Sequence, residues 1–313
     1  MDSETLIEAR ALTRRYGPNV AVSGLDLTLR KGEVLGLLGP NGAGKSTSMK
    51  MLTGNLSPTS GEVLIKGKNL RADAQAAKRH LGYLPEQPPV YPELTVDEYL
   101  GYAAGLHGVP RKERAAAVTT AKRDCGLGNV GSRLIGNLSK GYQQRVGLAQ
   151  AIIHRPDVII LDEPTVGLDP IQIREIRNLI GELGNQHSVI LSSHILPEIQ
   201  AVCDRVMIIN KGRSVYDATI DAHLGKSGLV VVFANPPQAE ALAKLPGVNK
   251  VDTGPAGRFL IELADGADAR DAVVEASVHG GWGLRELRLE TRTLEEIFVE
   301  LTSGEATLRE AAA

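Results

Sequence analysis

The 313-residue sequence is short of several features that would place it in a class at once. It has two cysteines, Cys125 and Cys203, far apart in the chain, which argues against a disulfide framework or a cysteine metal site. The formal net charge is −2, so no overall basic character points to nucleic acid. No stretch approaches the ~18 apolar residues of a membrane span, and residues 1–10 lack the apolar core of a secretory signal. We therefore expect a soluble cytoplasmic protein that reaches a membrane only by docking on another protein.

The most informative motif lies between an apolar run at residues 34–38 and a helical segment at residues 46–52. It has the G-x-x-x-x-G-K-[ST] spacing of a phosphate-binding loop. The candidates for nucleotide binding are Gly39, Pro40, Asn41, Gly42, Ala43, Gly44, Lys45, Ser46 and Thr47. The glycines leave backbone N–H groups free to surround a polyphosphate at a helix N-terminus. Lys45 supplies a charge for the β- and γ-phosphates, and the Ser46 hydroxyl can ligate Mg²⁺. A glycine-rich turn with a chance lysine is the alternative, but strand, loop and helix occur in the required order.

Two carboxylates follow the apolar run at residues 158–161, which predicts a buried strand. Asp162 is placed to hold Mg²⁺, directly or through water, and Glu163 could polarise an attacking water molecule. His194 ends a neighbouring predicted strand, either as a catalytic group near the γ-phosphate or as an ordinary polar residue. Ligands of open α/β sheets bind outside such strand ends. The sequence therefore predicts hydrolysis of ATP or GTP by Lys45, Glu163 and His194.

The order of the predicted elements indicates an α/β fold. Short alternating runs at residues 5–35 predict β-hairpins, and strands then alternate with helices to about residue 220, which predicts a mainly parallel sheet. Thr95 and Glu98 have the spacing of a capping box that opens a helix, and the helical pattern continues to about Lys122. Residues 171–183 predict an amphipathic helix with apolar positions Ile171, Ile173, Ile176, Leu179 and Ile180.

Beyond about residue 225 a new series of predicted strands and helices begins. The predicted order is β-α-β-β-α-β, as in a small ferredoxin-like α+β domain, followed by a terminal helix at residues 293–302. We predict a nucleotide-binding domain over residues 1–224, with a helical subdomain at about 88–155, and an accessory domain over residues 225–313. No motif in this tail carries chemistry, so we interpret it as a structural or regulatory appendage.

The chain resembles the ATP-binding subunits of ABC transporters over roughly residues 5–220. The resemblance rests on segments in the family's order: the phosphate loop, Leu138–Tyr142, Leu161–Pro164, Gly167–Asp169 and His194. It implies the fold of a P-loop ABC ATPase, with a β-rich N-terminal subdomain, a mostly parallel sheet and a helical subdomain. It also implies ATP and Mg²⁺ as ligands.

The resemblance further implies roles for single residues. Tyr16 would stack on adenine, although its position alone equally suits a ring packed on the sheet edge. Asp162 would bind Mg²⁺ and Glu163 would be the general base. His194 would contact the γ-phosphate as a switch, and Asp169 would lie in a loop that crosses to a second subunit.

The signature segment departs from the family's pattern. The family has Leu-Ser-Gly-Gly-Gln, which contacts the γ-phosphate of ATP held by the opposite subunit. Ser139 and Gly141 match this pattern, whereas Lys140 and Tyr142 depart from it. Ser139 can also serve simply as a helix cap. A hydroxyl and a helix N-terminus remain, so we expect anion binding to persist.

A second departure concerns the residue that would reach the metal-bound water. The family has glutamine directly after the Tyr-Leu-Pro equivalent, and here that position is Glu86, with Gln87 one residue later. Glu86 is favoured by position, and Gln87 is the alternative. Residues 88–94 would then border a groove for a permease helix.

We therefore predict an ATP-hydrolysing subunit of an exporter, held through a permease at the inner face of the cell membrane. Two copies would enclose two ATP molecules and drive a separate membrane permease. The type resembles bacterial multidrug, gliding-motility and copper-processing exporters. The rivals are a soluble ABC ATPase of translation or DNA repair and a nucleotide-gated binding module. A P-loop kinase is disfavoured because no site for an acceptor substrate is visible.

Overall fold

The computed structural model describes residues 4–220, 227–264, 267–291 and 293–303. These residues form two compact units, which divide between Ala218 and Thr219. Within the described ranges, every helix is too short or too polar to serve as a membrane-spanning segment.

The first unit contains two sheets and the helices that connect their strands. Its strands are β1 Thr5–Tyr16, β2 Asn19–Arg30, β3 Val34–Leu38, β4 Ser60–Ile65, β5 Lys68–Asn69, β6 Leu81–Leu84, β7 Val158–Asp162, β8 Ser188–Ser193, β9 Arg205–Asn210 and β10 Arg213–Thr219. Its helices are α1 Lys45–Leu52, α2 Ala74–Lys78, α3 Val96–Leu106, α4 Arg114–Asp124, α5 Lys140–Ile152, α6 Pro170–Gly184 and α7 Leu196–Val202.

The larger sheet has the strand order β10-β9-β3-β8-β7-β6. The neighbours from β9 to β6 pair in parallel, as predicted. Every residue of β3 and β7 is buried, which explains why both read as unbroken apolar runs. Because the strands are parallel, the phosphate loop after β3, Asp162 at the end of β7 and His194 after β8 meet at one edge of the sheet.

The smaller sheet has the order β2-β1-β4-β5 and is antiparallel, which confirms the predicted hairpin opening. Its inner face and that of the larger sheet enclose one apolar core around helix α1. Residues that represent this core are Leu12, Leu29, Leu35, Met49, Ile65 and Ile160, each fully buried.

The helical stretch predicted from Thr95 to Lys122 is two helices, α3 and α4. The predicted capping box of Thr95 and Glu98 is present. Gly108 has a φ of 77°, which ends α3 in the left-handed conformation, and Pro110 follows. These two residues break the helical pattern, so the prediction of a single run was wrong.

Two further details differ from the predictions for the first unit. Strands β5 and β10 were not predicted. Ile171 was assigned to the apolar face of α6, but it is 66% exposed. It lies five residues before the buried Ile176 and therefore about 140° away around the helix.

The second unit contains one antiparallel sheet and three helices over the described residues. The elements are β11 Ser227–Phe233, α8 Ala239–Ala243, β12 Val248–Thr253, β13 Arg258–Leu263, α9 Arg270–Gly280, β14 Leu284–Thr291 and α10 Leu294–Ser303. The strand order is β12-β13-β11-β14, with all pairs antiparallel. A core of its own includes Leu229, Val231, Phe233, Leu242, Ile261 and Val273.

Candidate functional site

The phosphate loop is a tight turn in which two glycines have no room for a side chain. A Cβ at Gly39 would lie 2.3 Å from the backbone oxygen of Ile209, and one at Gly44 would lie 2.7 Å from that of Ala21. Gly44 also has a φ of 109° and is the N-cap of α1. The loop therefore brings its backbone and the start of α1 to the sheet edge, as the spacing predicted.

Lys45 is buried at the centre of this loop, with only 5% of its surface exposed. Its Nζ donates to the backbone oxygens of Gly39 at 2.8 Å and Pro40 at 3.3 Å. The same Nζ lies 3.2 Å from Oε1 of Glu163, which is also buried. The charge of Lys45 is thus balanced by a carboxylate across the site.

Asp162 lies beside the loop and accepts two hydroxyl hydrogen bonds at Oδ1. Ser46 Oγ donates at 3.1 Å, and Ser192 Oγ, from β8, donates at 2.7 Å. Ser192 Oγ also accepts from the backbone N–H of Glu163 at 2.9 Å. A hydroxyl and a carboxylate together form the hard oxygen set that Mg²⁺ prefers, so Ser46 and Asp162 fit this ion.

Glu163 contacts both of the other predicted catalytic residues. Its φ of 48° is rare for a residue with a side chain and indicates local strain. While Oε1 faces Lys45, Oε2 lies 2.9 Å from Nδ1 of His194. Because a carboxylate can only accept, His194 carries a proton on Nδ1 in this contact. The structure therefore brings Lys45, Glu163 and His194 into one chain of contacts.

These side chains border a cavity of about 450 Å³. Its lining residues are Ala21, Asn41, Gly42, Gly44, Lys45, Ser46, Thr47, Glu86, Glu163, Val166 and His194. Of the two residues considered for the metal-bound water, Glu86 lines the cavity, and Gln87 is not among its described lining residues. Tyr83 lies near the same sheet edge, where burial and the charge of Asp162 raise its pKa to about 12.

Tyr16 lies at the end of β1 and is 48% exposed. The guanidinium carbon of Arg14 lies 4.7 Å from the centre of its ring, and Arg14 Nη1 donates to the backbone oxygen of Ser57 at 2.8 Å. The ring is thus supported by a cation and remains partly open to solvent. This arrangement leaves ring surface available for stacking.

The signature segment lies at the start of helix α5 and not at the phosphate loop. Ser139 caps α5, where its hydroxyl accepts from the backbone N–H of Tyr142 at 3.4 Å. Asp169 caps α6 by accepting from the N–H groups of Ile171 and Gln172 at 2.9 and 3.0 Å. Lys140 is exposed, and Tyr142 is 40% exposed.

The starts of α5 and α6 enclose a second cavity, of about 290 Å³. Its lining residues are Ser139, Gly141, Tyr142, Arg145, Asp169, Ile171, Gln172, Glu175 and Ile176. Gly141 is tightly packed, since a Cβ there would lie 2.9 Å from the Gln172 side chain. No residue lines both cavities in the described part of the chain. Within one chain, the phosphate loop and the signature segment thus face different cavities.

Comparison with known proteins shows the family of the chain. The sequence model of the family described as ABC transporter matches residues 22–166. The Nod factor export ATP-binding protein I of Burkholderia thailandensis is 32% identical over 309 residues, which cover 96% of this chain and 97% of that protein. The chain belongs to the ABC transporter ATP-binding proteins.

Two further matches, one relative and one solved structure, cover a smaller share of this chain. The probable multidrug ABC transporter ATP-binding protein YbhF of Escherichia coli is 36% identical over 219 residues, which cover 70% of this chain. Those residues make up 38% of the length of YbhF. The fold is similar to the structure of cbiO1 from Clostridium perfringens, part of an ABC transporter complex, with a TM-score of 0.64 and 27% identity. That match covers 71% of this chain and 91% of cbiO1.

One contact residue of the ABC ATPase site was missed by the sequence analysis. Ser192 contacts Asp162 and the backbone of Glu163, and no role was predicted for it. The signal that could have found it was its position beside the end of β7, because Asp162 pairs with Ser192 across the two strands. That register cannot be read from either strand alone.

Proposed function

We propose that this chain is the ATP-hydrolysing subunit of an exporter and that it works as a pair of copies on a separate membrane permease. Lys45, Glu163 and His194 line one cavity, and Asp162 contacts Ser46 of the same lining, which carries the ATPase part of the proposal. The names of two relatives, one for Nod factor export and one for multidrug transport, favour an exporter.

The roles of the residues follow from their contacts. Lys45, now shared between backbone oxygens and Glu163, would turn to the β- and γ-phosphates of ATP. Ser46 and Asp162 would hold Mg²⁺, which neutralises charge on the phosphate oxygens when bound. Glu163 would take the proton of the attacking water at a carboxylate oxygen. His194 would hold that carboxylate through Nδ1 and present its other ring nitrogen to the γ-phosphate.

The remaining assignments belong to the same proposal. Glu86 would contact a metal-bound water from the cavity wall, and Tyr16 would stack on adenine with the ring face that Arg14 leaves open. The second cavity supports the pairing of two copies, because Ser139 faces a different cavity from the phosphate loop of its own chain. The phosphate loop of one copy and Ser139 of the other would then bind one ATP, and Asp169 would lie at the contact between copies.

The second unit supports the proposal of an accessory domain. Its β-α-β-β-α-β order and its strand order suit a ferredoxin-like accessory domain over residues 225–313, which follows the ATPase domain of residues 1–224 in the sequence. We place the protein at the inner face of the cell membrane through the permease, as a homodimer, with no nucleic-acid partner.

The pairing can be tested with a Glu163→Gln variant, which should bind ATP without consuming it. Sizing with light scattering should show a dimer with Mg²⁺ and ATP, and a monomer with Mg²⁺ and ADP. As a control, Lys45→Ala added to Glu163→Gln should prevent the dimer because ATP is no longer held. A protein that stays monomeric at saturating ATP would contradict the pairing.

A further inference from the structure

A buried carboxylate behind the candidate site is not used by the mechanism above. Glu198, on α7, is only 3% exposed. Its Oε2 accepts two hydrogen bonds, from Thr165 Oγ1 at 2.7 Å and from Ser193 Oγ at 2.9 Å. Its Oε1 lies 3.8 Å from Nη2 of Arg177, on α6.

The two hydroxyl donors come from the two loops that carry the proposed catalytic residues. Thr165 is two residues after Glu163 in the loop after β7, and Ser193 directly precedes His194 at the end of β8. Glu198 is therefore bonded to both loops through one oxygen atom. The contact of 2.9 Å between Glu163 and His194 lies across the same two loops.

Burial of this charge is costly, and the partners only partly offset the cost. A buried carboxylate loses much of its favourable hydration and recovers it only through well-placed partners. Here Glu198 receives two hydrogen bonds from neutral hydroxyls and faces one guanidinium beyond hydrogen-bond distance. Hydrogen bonds to a charged acceptor are short and directional, so this group holds its donors in place more tightly than a neutral residue would.

We propose that Glu198 is a positioning residue for ATP hydrolysis. It holds the loop after β7 and the loop after β8 at a set distance, so that Glu163 and His194 remain in contact. This inference rests on the proposed roles of Glu163 and His194. Glu198 lies outside the described lining of the nucleotide cavity, so ATP binding does not depend on it directly.

The test compares Glu198→Ala with wild type in kcat and in ATP affinity. Loss of the shared acceptor should lower kcat by about 10²-fold, since misplacement of a catalytic group by about 1 Å has effects of that size. The equilibrium Kd for ATP should change by less than about twofold, because the phosphate loop is intact. Glu198→Gln should recover most of the loss, since its amide oxygen can still accept from both hydroxyls.

A background variant separates positioning from general destabilisation. If Glu198 acts through the contact of Glu163 with His194, Glu198→Ala should lower kcat by less than about threefold when His194→Ala is already present. An equal loss in both backgrounds, or a kcat of Glu198→Ala near that of wild type, would overturn the inference. Wild-type hydrolysis by His194→Ala alone would instead overturn the proposed role of His194 and remove the basis of the inference.

Variants that keep the Glu198 carboxylate and remove only one of its hydroxyl donors serve if Glu198→Ala does not fold. Thr165→Val and Ser193→Ala each remove one hydrogen bond to Glu198 and leave the carboxylate with its other donor. Ser193→Ala also removes the acceptor of the Ile195 backbone N–H, so Thr165→Val is the cleaner of the two variants. Each should lower kcat with ATP affinity preserved, and their effects should not multiply when combined. Thr119→Val is the matched control, because it removes an exposed hydroxyl bond within α4. Losses of the control's size in both variants would also overturn the inference.

Discussion

The two cavities of the first unit differ in how deeply the polar groups beside them are buried. At the phosphate loop, Lys45, Asp162 and Glu163 are each at most 7% exposed and contact one another or neighbouring hydroxyls. At the signature segment, Ser139 and Lys140 are exposed, and the contact of Ser139 is a helix cap. The charged groups at the phosphate loop are thus buried and paired within the chain. At the second cavity Arg145 is paired with Glu175 at 2.9 Å, whereas Ser139 and Lys140 are open to solvent.

This difference has a simple physical origin. Charges removed from water must be paired, so a buried triphosphate site is preorganised by carboxylates and hydroxyls that hold its lysine. Exposed groups at a helix N-terminus keep their hydration and need no such pairing. Under the proposed function, the first cavity binds nucleotide within one chain, and the second contributes only when it meets another chain.

The largest expected effect comes from a substitution in the first cavity, at the phosphate loop. Glu163→Gln should lower kcat by about 10²–10⁴-fold, because the amide cannot take the proton of the attacking water. ATP affinity should persist, since Lys45 keeps its contacts with the loop backbone. Phosphate release and equilibrium ATP binding measure the two quantities. Glu113→Gln, at an exposed site before α4, is the control, and hydrolysis near the wild-type rate would show that another group is the base.

The next largest effect is expected for a substitution in the second cavity, at the signature segment. Ser139→Ala should lower kcat by about 10²-fold through loss of a donor to the γ-phosphate. The affinity of the monomer for ATP should stay unchanged, because Ser139 lies outside the first cavity. Thr95→Ala is a matched control that removes a cap of the same kind from α3. If Ser139→Ala weakened ATP binding by the monomer, the two cavities would not be independent.

A smaller effect concerns the ring of Tyr16, which is proposed to stack on adenine. Tyr16→Ala should weaken ATP binding by about 1–3 kcal/mol, the usual value of a base stacked on an aromatic ring. Binding of inorganic tripolyphosphate, which has no base, should be unaffected. Tyr16→Phe keeps the ring and should bind ATP as the wild type does. Equal weakening for ATP and tripolyphosphate would indicate damage to the phosphate loop instead.

The smallest effect is a pH response in the helical region that carries the signature segment. The rings of His107 and His154 stack with centroids 4.0 Å apart, and His154 Nε2 donates to the backbone oxygen of Leu81 at 2.9 Å. Burial, with a smaller effect from His107, lowers the pKa of His154 to about 4. Burial also lowers the pKa of His107.

The direction of the change in stability with pH follows from the lowered pKa values of the two histidines. As the pH falls from 6.5, the ordinary value, towards 4, the unfolded chain takes up protons that the folded chain does not. The free energy of unfolding should therefore be at its full value above pH 6.5 and fall below it, by roughly 1–2 kcal/mol for partly exposed rings. Urea unfolding at pH 7.5 and pH 5 measures this. His154→Phe keeps the stack and should flatten the response, and an unchanged pH dependence in that variant would assign the protons elsewhere.

Local patterns in the sequence predicted most of the ATPase fold and part of its site. The spacing of Gly39, Gly44 and Lys45 specifies a loop between a strand and a helix, because only that backbone path accommodates those residues. Buried parallel strands appear as apolar runs, so the residue pattern alone places Asp162 and His194 at strand ends. The capping box at Thr95 is equally local.

Contacts between distant segments depend on the tertiary structure. That Ser192 lies beside Asp162, and that Glu198 joins the loops of Thr165 and Ser193, depends on the register of strands about 30 residues apart. The sequence motifs alone also did not show that Ser139 faces a separate cavity. Neighbouring residues determine local backbone geometry, whereas the pairing of strands and the packing of helices determine which side chains meet.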